Sequence, residues 1–419
     1  MAKHKRVYIL GGYQTDFARN WSKEGKTIQA LMHEAMDGAF TSTQIDPADV
    51  ESIHVGNFAG ELYTMQGHLG AMTVNYSEKL RGVPTSRHEA ACASGAISSL
   101  VARTEIEAGH YDLSMVIGVE LMKSVDSKTG GDFLGTAAWY DKEAKGVQFP
   151  FPKLFGRLGT VYEELYGLKY DHLAEISAIN YENGRRNPLA QTREWYMNKQ
   201  HALTRGNFNM EVGGIIHITD CSQVTDGSAV IFLASEKYAK AYAKKHGLKL
   251  KNIPHIMGWG HATAPMLFDV KTEEAYAAKK EGKYVLPHTR KAIVDAYKRA
   301  GIKGPKDLDL VETHDCFTTS EYAAIEHFGI TAPGEAYKAI DSGDIRIGGK
   351  IPFNPSGGLI GAGHPVGATG ARQLLDVYKQ LTGVAGENQV EDAKVAATLN
   401  IGGSATTNVV HIVGVEKGK

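Results

Sequence analysis

Cys92 is the first residue of the sequence whose side chain and position suit nucleophilic chemistry. It lies in the stretch EAACASGAISS, at the predicted start of a helix. Backbone N–H groups at a helix start favour an anion, so they would lower the pKa of the thiol. The small neighbours Ala91, Ala93 and Gly95 leave room for a substrate. The stretch predicts a nucleophilic thiol, and a buried structural cysteine is the alternative.

His364 is a candidate base for this thiol. It lies in the glycine-rich loop GAGHPVGATG, where Pro365 restricts the backbone and the glycines allow a ligand to approach. A cysteine paired with a histidine is the arrangement that generates a reactive thiolate. The run GLIGAGHPVG lacks the spacing G-x-G-x-x-G and follows no buried strand, so a dinucleotide site is not predicted.

Three polar residues, His314, Asp315 and Cys316, follow the predicted strand LDLVET. Thr318 and Glu321 form a capping-box pattern that predicts a helix directly after them. The trio therefore lies at the carboxyl end of a strand, where the sites of α/β proteins gather. Three adjacent residues cannot all face one ion, so no metal site is predicted here. An acid/base role and a plain strand end remain open.

Gly402 and Gly403 lie in the stretch NIGGSATTN, at the end of a predicted core strand. Their backbone N–H groups are unshielded by side chains, as an oxyanion hole requires. A tight turn explains the two glycines equally well when the stretch is taken alone.

An internal duplication indicates which elements position these residues. Residues 33–58 and 290–317 share an Ala-rich amphipathic helix, a P-x-D-[VL]-[ED] turn and a short apolar strand. Residues 92–120 share with 363–403 a glycine-rich loop, an amphipathic helix and a buried strand. A repeated β-α-β unit predicts two similar α/β halves related by a pseudo-twofold axis. That axis would bring the loops of Cys92 and His364 together.

The domain boundaries follow from this duplication. Residues 1–122 with 222–255 are predicted to form the N-terminal half, and 256–419 the C-terminal half. Residues 123–221, rich in aromatic residues, glycine, proline and charge, read as a loop domain inserted over the surface. The insertion is expected to shape a substrate pocket, with Leu158 in GRLGTVYEELYG as a candidate for its wall.

Composition limits the function class. The formal net charge is −1, with 46 basic and 47 acidic side chains, which argues against a broad nucleic-acid surface. Three cysteines in 419 residues are too few for a disulfide framework. No apolar run approaches the roughly 18 residues of a membrane span. The start MAKHKRVYILGGYQ has no signal-peptide pattern and the ending VEKGK is not a peroxisomal address, so a cytoplasmic enzyme is expected.

Taken together, these loops resemble those of the thiolase family over nearly the whole chain. The resemblance is carried by CASGA, GVELM, DCSQVTDGSA, GGLIGAGHPVGATGA and NIGGS, and the GHP loop is its most specific part. HDCF occupies the place of N-E-A-F in many thiolases and is similar to the sterol-carrier-protein type. The chain departs from the family where Asn400-Ile401-Gly402 replaces C-x-G, whose cysteine is the usual acid/base.

The resemblance implies a fold of duplicated α/β halves, layered α-β-α-β-α, with an inserted loop domain. It implies CoA-dependent cleavage of a 3-oxoacyl-CoA, or the reverse Claisen condensation, through an acylated Cys92. His364 would take the thiol proton and later help to hold an oxyanion, beside His314. The N–H groups of Cys92 and Gly402 would form a second oxyanion hole. Cys316 would exchange the α-carbon proton in place of the missing cysteine.

The implied partners are acyl-CoA and CoA, in a homodimer or homotetramer, with coenzyme A as a substrate and no metal or redox cofactor. The alternatives are a thiolase-fold carbon–carbon lyase, or a non-catalytic thiolase-like protein, acting with a small accessory protein. A decarboxylating condensing enzyme is a third reading, because such enzymes use a cysteine with two histidines, or with a histidine and an asparagine.

Overall fold

The computed structural model describes residues 5–416. The predictions about targeting signals rest partly on residues 1–4 and 417–419, which lie outside the described residues. None of the helices within 5–416 is long and apolar enough to cross a membrane.

The described residues form two sheets and a set of helices of very different lengths. The strands are β1 Val7–Gln14, β2 Ser52–Gly56, β3 Thr85–His88, β4 Leu113–Glu120, β5 Glu211–Gly213, β6 Ile216–His217, β7 Gly227–Ser235, β8 His255–Thr263, β9 Leu310–Glu312, β10 Val395–Gly402 and β11 Thr407–Gly414. The helices are α1 Ile28–Thr43, α2 Gly60–Thr64, α3 Leu69–Met72, α4 Ser94–Ala108, α5 Ser127–Gly135, α6 Pro150–Tyr166, α7 Tyr170–Arg186, α8 Lys199–Leu203, α9 Glu236–Lys245, α10 Phe268–Lys280, α11 Pro287–Ala300, α12 Thr318–His327, α13 Ala336–Asp341, α14 Gly358–Ala362 and α15 Thr369–Thr382.

The strand order of the nine-stranded sheet reproduces the predicted duplication. The order is β3-β2-β4-β7-β1-β8-β11-β10-β9. In the first half β2 is parallel to β4, and β7 is antiparallel to both β4 and β1. In the second half β9 is parallel to β10, and β11 is antiparallel to both β10 and β8. Apart from the edge strand β3, which has no counterpart in the second half, the halves have the same topology, and they meet where β1 pairs with β8.

Helices fill both sides of each half and a shared central layer. Helix α1 covers the outer face of the first half, where it packs on β1 and β7. Helix α11 covers the outer face of the second half, on β8 and β11. Between the halves, α4 and α15 share one buried apolar cluster with strands of both. The predicted α-β-α-β-α arrangement is therefore confirmed.

Glycines in the left-handed conformation end the two central helices. Gly109, directly after α4, has φ 83°, and Gly383, directly after α15, has φ 75°. Residues 123–221 contain α5 to α8 and the hairpin β5-β6. Helices α6 and α7 place apolar side chains in the same core cluster as α11 and α12, so this segment packs on the second half.

Candidate active site

Three of the predicted residues converge from separate loops. Cys92 precedes α4, His364 precedes α15 and His314 follows β9. One donor atom of each lies within 4.8 Å of the other two. The two central helices are in backbone contact, since a Cβ on Gly95 would lie 2.8 Å from the Gly367 carbonyl oxygen. The close approach of these helices brings the Cys92 and His364 loops together, as the duplication predicts.

The environment of Cys92 holds its thiol protonated. Ala91, directly before it, has φ 50°, an uncommon conformation for a residue other than glycine. Burial raises the pKa of Cys92 to about 12, although the N–H of Gly403 facing the sulfur lowers it. The net shift is therefore opposite to the predicted depression of this pKa, because desolvation outweighs the N–H groups of Gly403 and of Cys92 itself.

His364 is arranged to accept a proton. Its Nδ1 lies 2.7 Å from the Thr369 hydroxyl, which donates its only proton to the Pro365 carbonyl at 3.1 Å. The hydroxyl must therefore accept from Nδ1–H, which leaves the lone pair on Nε2. Nε2 is buried without a partner, and burial holds the pKa of His364 well below its usual value. Cys92 and His364 thus rest as a neutral thiol and a neutral imidazole.

His314 is arranged to donate a proton. The amide nitrogen of Asn400 donates to its Nδ1 at 3.2 Å, so the ring proton lies on Nε2. That Nε2–H is buried without a partner. Burial lowers the pKa of His314 to about 3, so the ring is neutral. The rings of His314 and His364 are nearly perpendicular, with centroids 5.1 Å apart. Two neighbouring imidazoles therefore present opposite functions, one lone pair and one N–H.

We expect His364→Ala to slow alkylation of Cys92 by iodoacetamide near neutral pH. Because burial raises the pKa of the Cys92 thiol, little thiolate is present at pH 7, and the thiolate fraction rises tenfold per pH unit. Alkylation of the wild type near neutrality then depends on transfer of the thiol proton to Nε2 during attack. In His364→Ala, the logarithm of the alkylation rate should rise linearly with pH, without the additional rate near neutrality that the wild type shows. Identical pH–rate profiles for the two proteins would show that His364 does not assist the thiol.

Cys316 lies at the floor of the same site. Its side chain is 6% exposed, and its sulfur lies 3.9 Å from the Ser320 hydroxyl. Burial raises its pKa well above the ordinary value, and the nearby Cys92 adds to the shift. Phe317 stacks on Phe155 with ring centroids 4.9 Å apart and fixes the chain after it. Cys316 is therefore a protonated thiol beside the candidate nucleophile.

Asp315, between His314 and Cys316, does not line the cavity, and its carboxylate instead holds neighbouring loops together. Its carboxylate accepts N–H bonds from Leu359 at 2.6 Å and Ile360 at 3.0 Å, and an amide bond from Asn180. Burial raises its pKa to about 6. It ties the end of β9 to the segment before His364.

The predicted capping box at the start of α12 is wrong, although the helix begins at Thr318. The Thr318 hydroxyl donates to Asp220 at 2.8 Å. Glu321 accepts from Asn180 at 2.6 Å and from Asn354 at 2.8 Å. Both side chains have buried tertiary partners, which compete successfully with the local capping bonds.

Gly402 and Gly403 bring the end of β10 against the Cys92 loop. A Cβ on Gly402 would lie 2.1 Å from the Ala90 carbonyl oxygen, so only glycine fits. The N–H groups of Gly403 and of Cys92 itself both lower the pKa of the Cys92 thiol, so the glycine that faces the sulfur is one residue beyond the predicted Gly402. The buried ammonium of Lys271 holds the turn that follows, with bonds to the Ser404 and Thr406 hydroxyls, each 2.8 Å long.

Sequence reasoning missed several residues that position the site. Asn400 orients His314, and Thr369 orients His364. Glu120 accepts N–H bonds from Phe58, Ala59 and Gly367 and so joins three loops. Burial raises the pKa of Glu120 to about 7. Two features of the sequence could have indicated these roles. They are Thr369, five residues after His364, and Glu120, a charged residue at the end of the apolar strand β4.

Cys92, Cys316 and His364 line a cavity of about 220 Å³, and the fully buried His314 lies directly beside Cys92 and His364. The wall of this cavity is mainly apolar and includes Leu134, Phe149, Phe151, Phe317 and Val366. A larger groove of about 710 Å³ elsewhere contains charged side chains but none of the candidate residues.

The proposed pocket residue Leu158 does not lie on this cavity. It is 3% exposed and belongs to the core beneath α6. The first turn of α6, through Pro152, lines the cavity, and Leu158 lies about 9 Å further along the helix axis.

The sequence matches two family descriptions that together span most of the chain. "Thiolase, N-terminal domain" matches residues 7–200, and "Thiolase C-terminal domain-like" matches 271–415. The acetyl-CoA acetyltransferase of Methanothermobacter thermautotrophicus is 32% identical over 97% of this chain and 98% of that protein. The chain belongs to the thiolase family. Within this family it is an acyltransferase, as the full-length match to that relative supports.

Other thiolase-family proteins are similar in sequence or fold. Human sterol carrier protein 2 is 30% identical over 98% of this chain and 72% of that protein. The structure titled "Ltp2-ChsH2(DUF35) aldolase" has a TM-score of 0.78 at 18% identity and covers 98% of both chains. Human mitochondrial 3-ketoacyl-CoA thiolase in complex with CoA has a TM-score of 0.67 at 19% identity, over 99% of this chain and 98% of that one. These two structures are similar in fold.

Proposed function

We propose that this thiolase cleaves a 3-oxoacyl-CoA with free CoA, or catalyses the reverse Claisen condensation. The observation that carries the proposal is the convergence of a thiol, an imidazole lone pair and an imidazole N–H beside a second, protonated thiol. Cleavage between the α- and β-carbons requires a soft nucleophile, oxyanion donors and an acid for the departing carbanion. Each of these groups is represented in the site.

The first half of the reaction acylates the enzyme. The Cys92 sulfur attacks the 3-oxo carbon while His364 Nε2 takes the thiol proton. The resulting oxyanion faces the N–H groups of Cys92 and of Gly402 or Gly403. The bond between the α- and β-carbons then breaks, and its electron pair forms an enolate on the departing thioester. The N–H groups of His364 and His314 hold the enolate oxygen, and Cys316 protonates the α-carbon.

The second half returns the enzyme to its starting state. The Cys316 thiolate recovers a proton from the incoming CoA thiol, and the CoA sulfur attacks the acyl group on Cys92. The released Cys92 thiolate recovers the proton held by His364. Atoms and electrons balance with coenzyme A as a substrate and without a metal or redox cofactor. The cavity of about 220 Å³ is smaller than the roughly 300–1,000 Å³ of drug-sized ligand sites, which favours a short acyl group.

The deciding experiment supplies acetoacetyl-CoA to the purified protein with and without free CoA. We expect acetyl-CoA to form at a rate that depends on CoA. A matched reaction with a 3-hydroxyacyl-CoA and no CoA tests cleavage by a lyase. Cleavage of the hydroxy substrate alone would contradict the thiolase proposal.

A carbon–carbon lyase acting with a small accessory protein is the second candidate. It is favoured by the TM-score of 0.78 to the aldolase structure, which exceeds the 0.67 to the human thiolase. That aldolase structure contains Ltp2 together with ChsH2(DUF35). The Cys92 and His364 pair favours thiolysis, because a retro-aldol cleavage forms no acyl-enzyme. A decarboxylating condensing enzyme is a weaker third candidate, supported by the two histidines.

We further propose a cytoplasmic homodimer or homotetramer. The support for an oligomer is one open edge of the large sheet, where β3 pairs with β2 and with no other strand among residues 5–416. An unpaired edge of this kind is a template for pairing with a second chain.

A further inference from the structure

The three candidate catalytic donors have the composition of a transition-metal site. A Cys sulfur and two His nitrogens are ligands that Zn²⁺ prefers, and three protein ligands with one open position are typical of an accessible zinc centre. Their donor atoms lie within 4.8 Å of one another. The sequence argued against a metal at 314–316, but the fold assembles a different set, Cys92, His314 and His364, from three separate loops.

Two buried atoms at this position have unused bonding capacity. The Nε2 atoms of His314 and His364 have no hydrogen-bond partner, and the two side chains are 0% and 5% exposed. An unpartnered buried polar atom is unfavourable, so a ligand that bonds to both nitrogens would be favoured. A single cation placed between them and the Cys92 sulfur satisfies both nitrogens.

The second layer of side chains suits metal ligation. Metal-bound imidazoles typically donate their other ring N–H to a fixed acceptor. His364 already donates Nδ1–H to Thr369. To bind a metal through Nε2, His314 must carry its ring proton on Nδ1. The side-chain amide of Asn400 can accept that proton's hydrogen bond after the amide rotates by about 180°. The carbonyl oxygen of that amide is buried and has no partner at present.

The distances require only a small contraction. Zinc bonds of about 2.3 Å to sulfur and 2.0–2.1 Å to nitrogen place tetrahedral donors roughly 3.4–3.6 Å apart. The present limit of 4.8 Å exceeds this by about 1 Å, which side-chain rotation can supply. Cys92 is partly exposed to the cavity, so the fourth position faces the route by which a ligand enters.

We propose that Cys92, His314 and His364 bind one Zn²⁺ ion, which blocks the site reversibly. On binding, the thiol proton passes to solvent, a sulfur–zinc bond forms and the two neutral imidazoles donate their lone pairs. Zinc stays divalent and no electron is transferred. The bound ion occupies the nucleophile and both imidazoles, so acylation stops. This inhibition rests on the proposed function, whereas metal binding does not.

Metal-free protein titrated with Co²⁺ as a spectroscopic probe tests the site. We expect one equivalent to bind with a thiolate charge-transfer band and the visible bands of a tetrahedral site, and Zn²⁺ to displace it. The band should be lost in Cys92→Ala and retained in Cys221→Ala and Cys316→Ala, which remove the other two cysteines. Asn400→Ala should weaken Zn²⁺ binding about 10–100-fold, the usual effect of losing a residue that orients a ligand.

The controls separate the metal site from the reaction. Zn²⁺ should raise the unfolding temperature of the wild type but not of Cys92→Ala, whose folding is checked by its metal-free midpoint. Zn²⁺ should abolish acylation of the wild type, and EDTA should restore it. A charge-transfer band that persists in Cys92→Ala, or the absence of stoichiometric binding, would overturn the proposal. If binding occurs in a protein that lacks thiolysis, the metal site stands and the proposed function fails.

Discussion

Cys92→Ala is expected to abolish the acyl adduct and to reduce thiolysis by roughly 10⁶-fold, as when an enzyme loses its nucleophile alone. Among the described residues, no other thiol lies between the His364 loop and the N–H of Gly403. Intact-mass measurement after incubation with acetoacetyl-CoA should show one acetyl group on the wild type. Peptide mapping should place that group on Cys92.

Cys221→Ala is the matched control for this experiment. Cys221 is also partly exposed and lines the same cavity, but its sulfur bonds to the His217 carbonyl at 3.3 Å. No imidazole lone pair faces it in the described contacts. Its replacement should leave the adduct in place. An acetyl group that persists in Cys92→Ala and disappears in Cys221→Ala would transfer the nucleophile to Cys221.

The duplication made much of the fold predictable. Residues 33–58 and 290–317 repeat one helix-turn-strand pattern, and the structure places their strands at equivalent positions of the two halves, as β2 and β9. The same repeat predicted that the Cys92 and His364 loops meet. Such long repeated patterns survive local variation because each half must bury the same faces of its helices and strands.

The electrostatics of the site could not be predicted in this way. The helix start at Cys92 suggested a depressed thiol pKa, yet burial raises that pKa to about 12. Desolvation depends on the apolar wall around the sulfur, which comes from residues distant in sequence such as Phe149 and Val366. The tautomers of the imidazoles likewise depend on Asn400 and Thr369, whose roles appear only once the loops are folded together.

Cys316→Ala is expected to reduce thiolysis of a 3-oxoacyl-CoA by about 10²–10⁴-fold, the usual contribution of a general acid or base. The resemblance to thiolases implies that Asn400 replaces the usual acid/base cysteine, and the Asn400 amide nitrogen is bonded to His314. Burial keeps the Cys316 thiol protonated, which suits donation of a proton to the enolate. Acylation of Cys92 by a simple acyl-CoA needs no α-carbon proton transfer, so it should persist.

Two measurements separate acylation of Cys92 from proton transfer at the α-carbon: the acylation burst with a simple acyl-CoA, and steady-state thiolysis of a 3-oxoacyl-CoA. Cys316→Ser is the matched variant. The serine keeps nearly the same volume and the 3.9 Å contact with Ser320, so a purely structural role would be largely restored by it. A hydroxyl is far less acidic than a thiol, so an acid/base role would not be restored. We therefore expect Cys316→Ser to be almost as slow as Cys316→Ala while both retain the burst. Near wild-type turnover in Cys316→Ala would place the acid/base elsewhere, and the Nε2–H of His314 would be the next candidate to test.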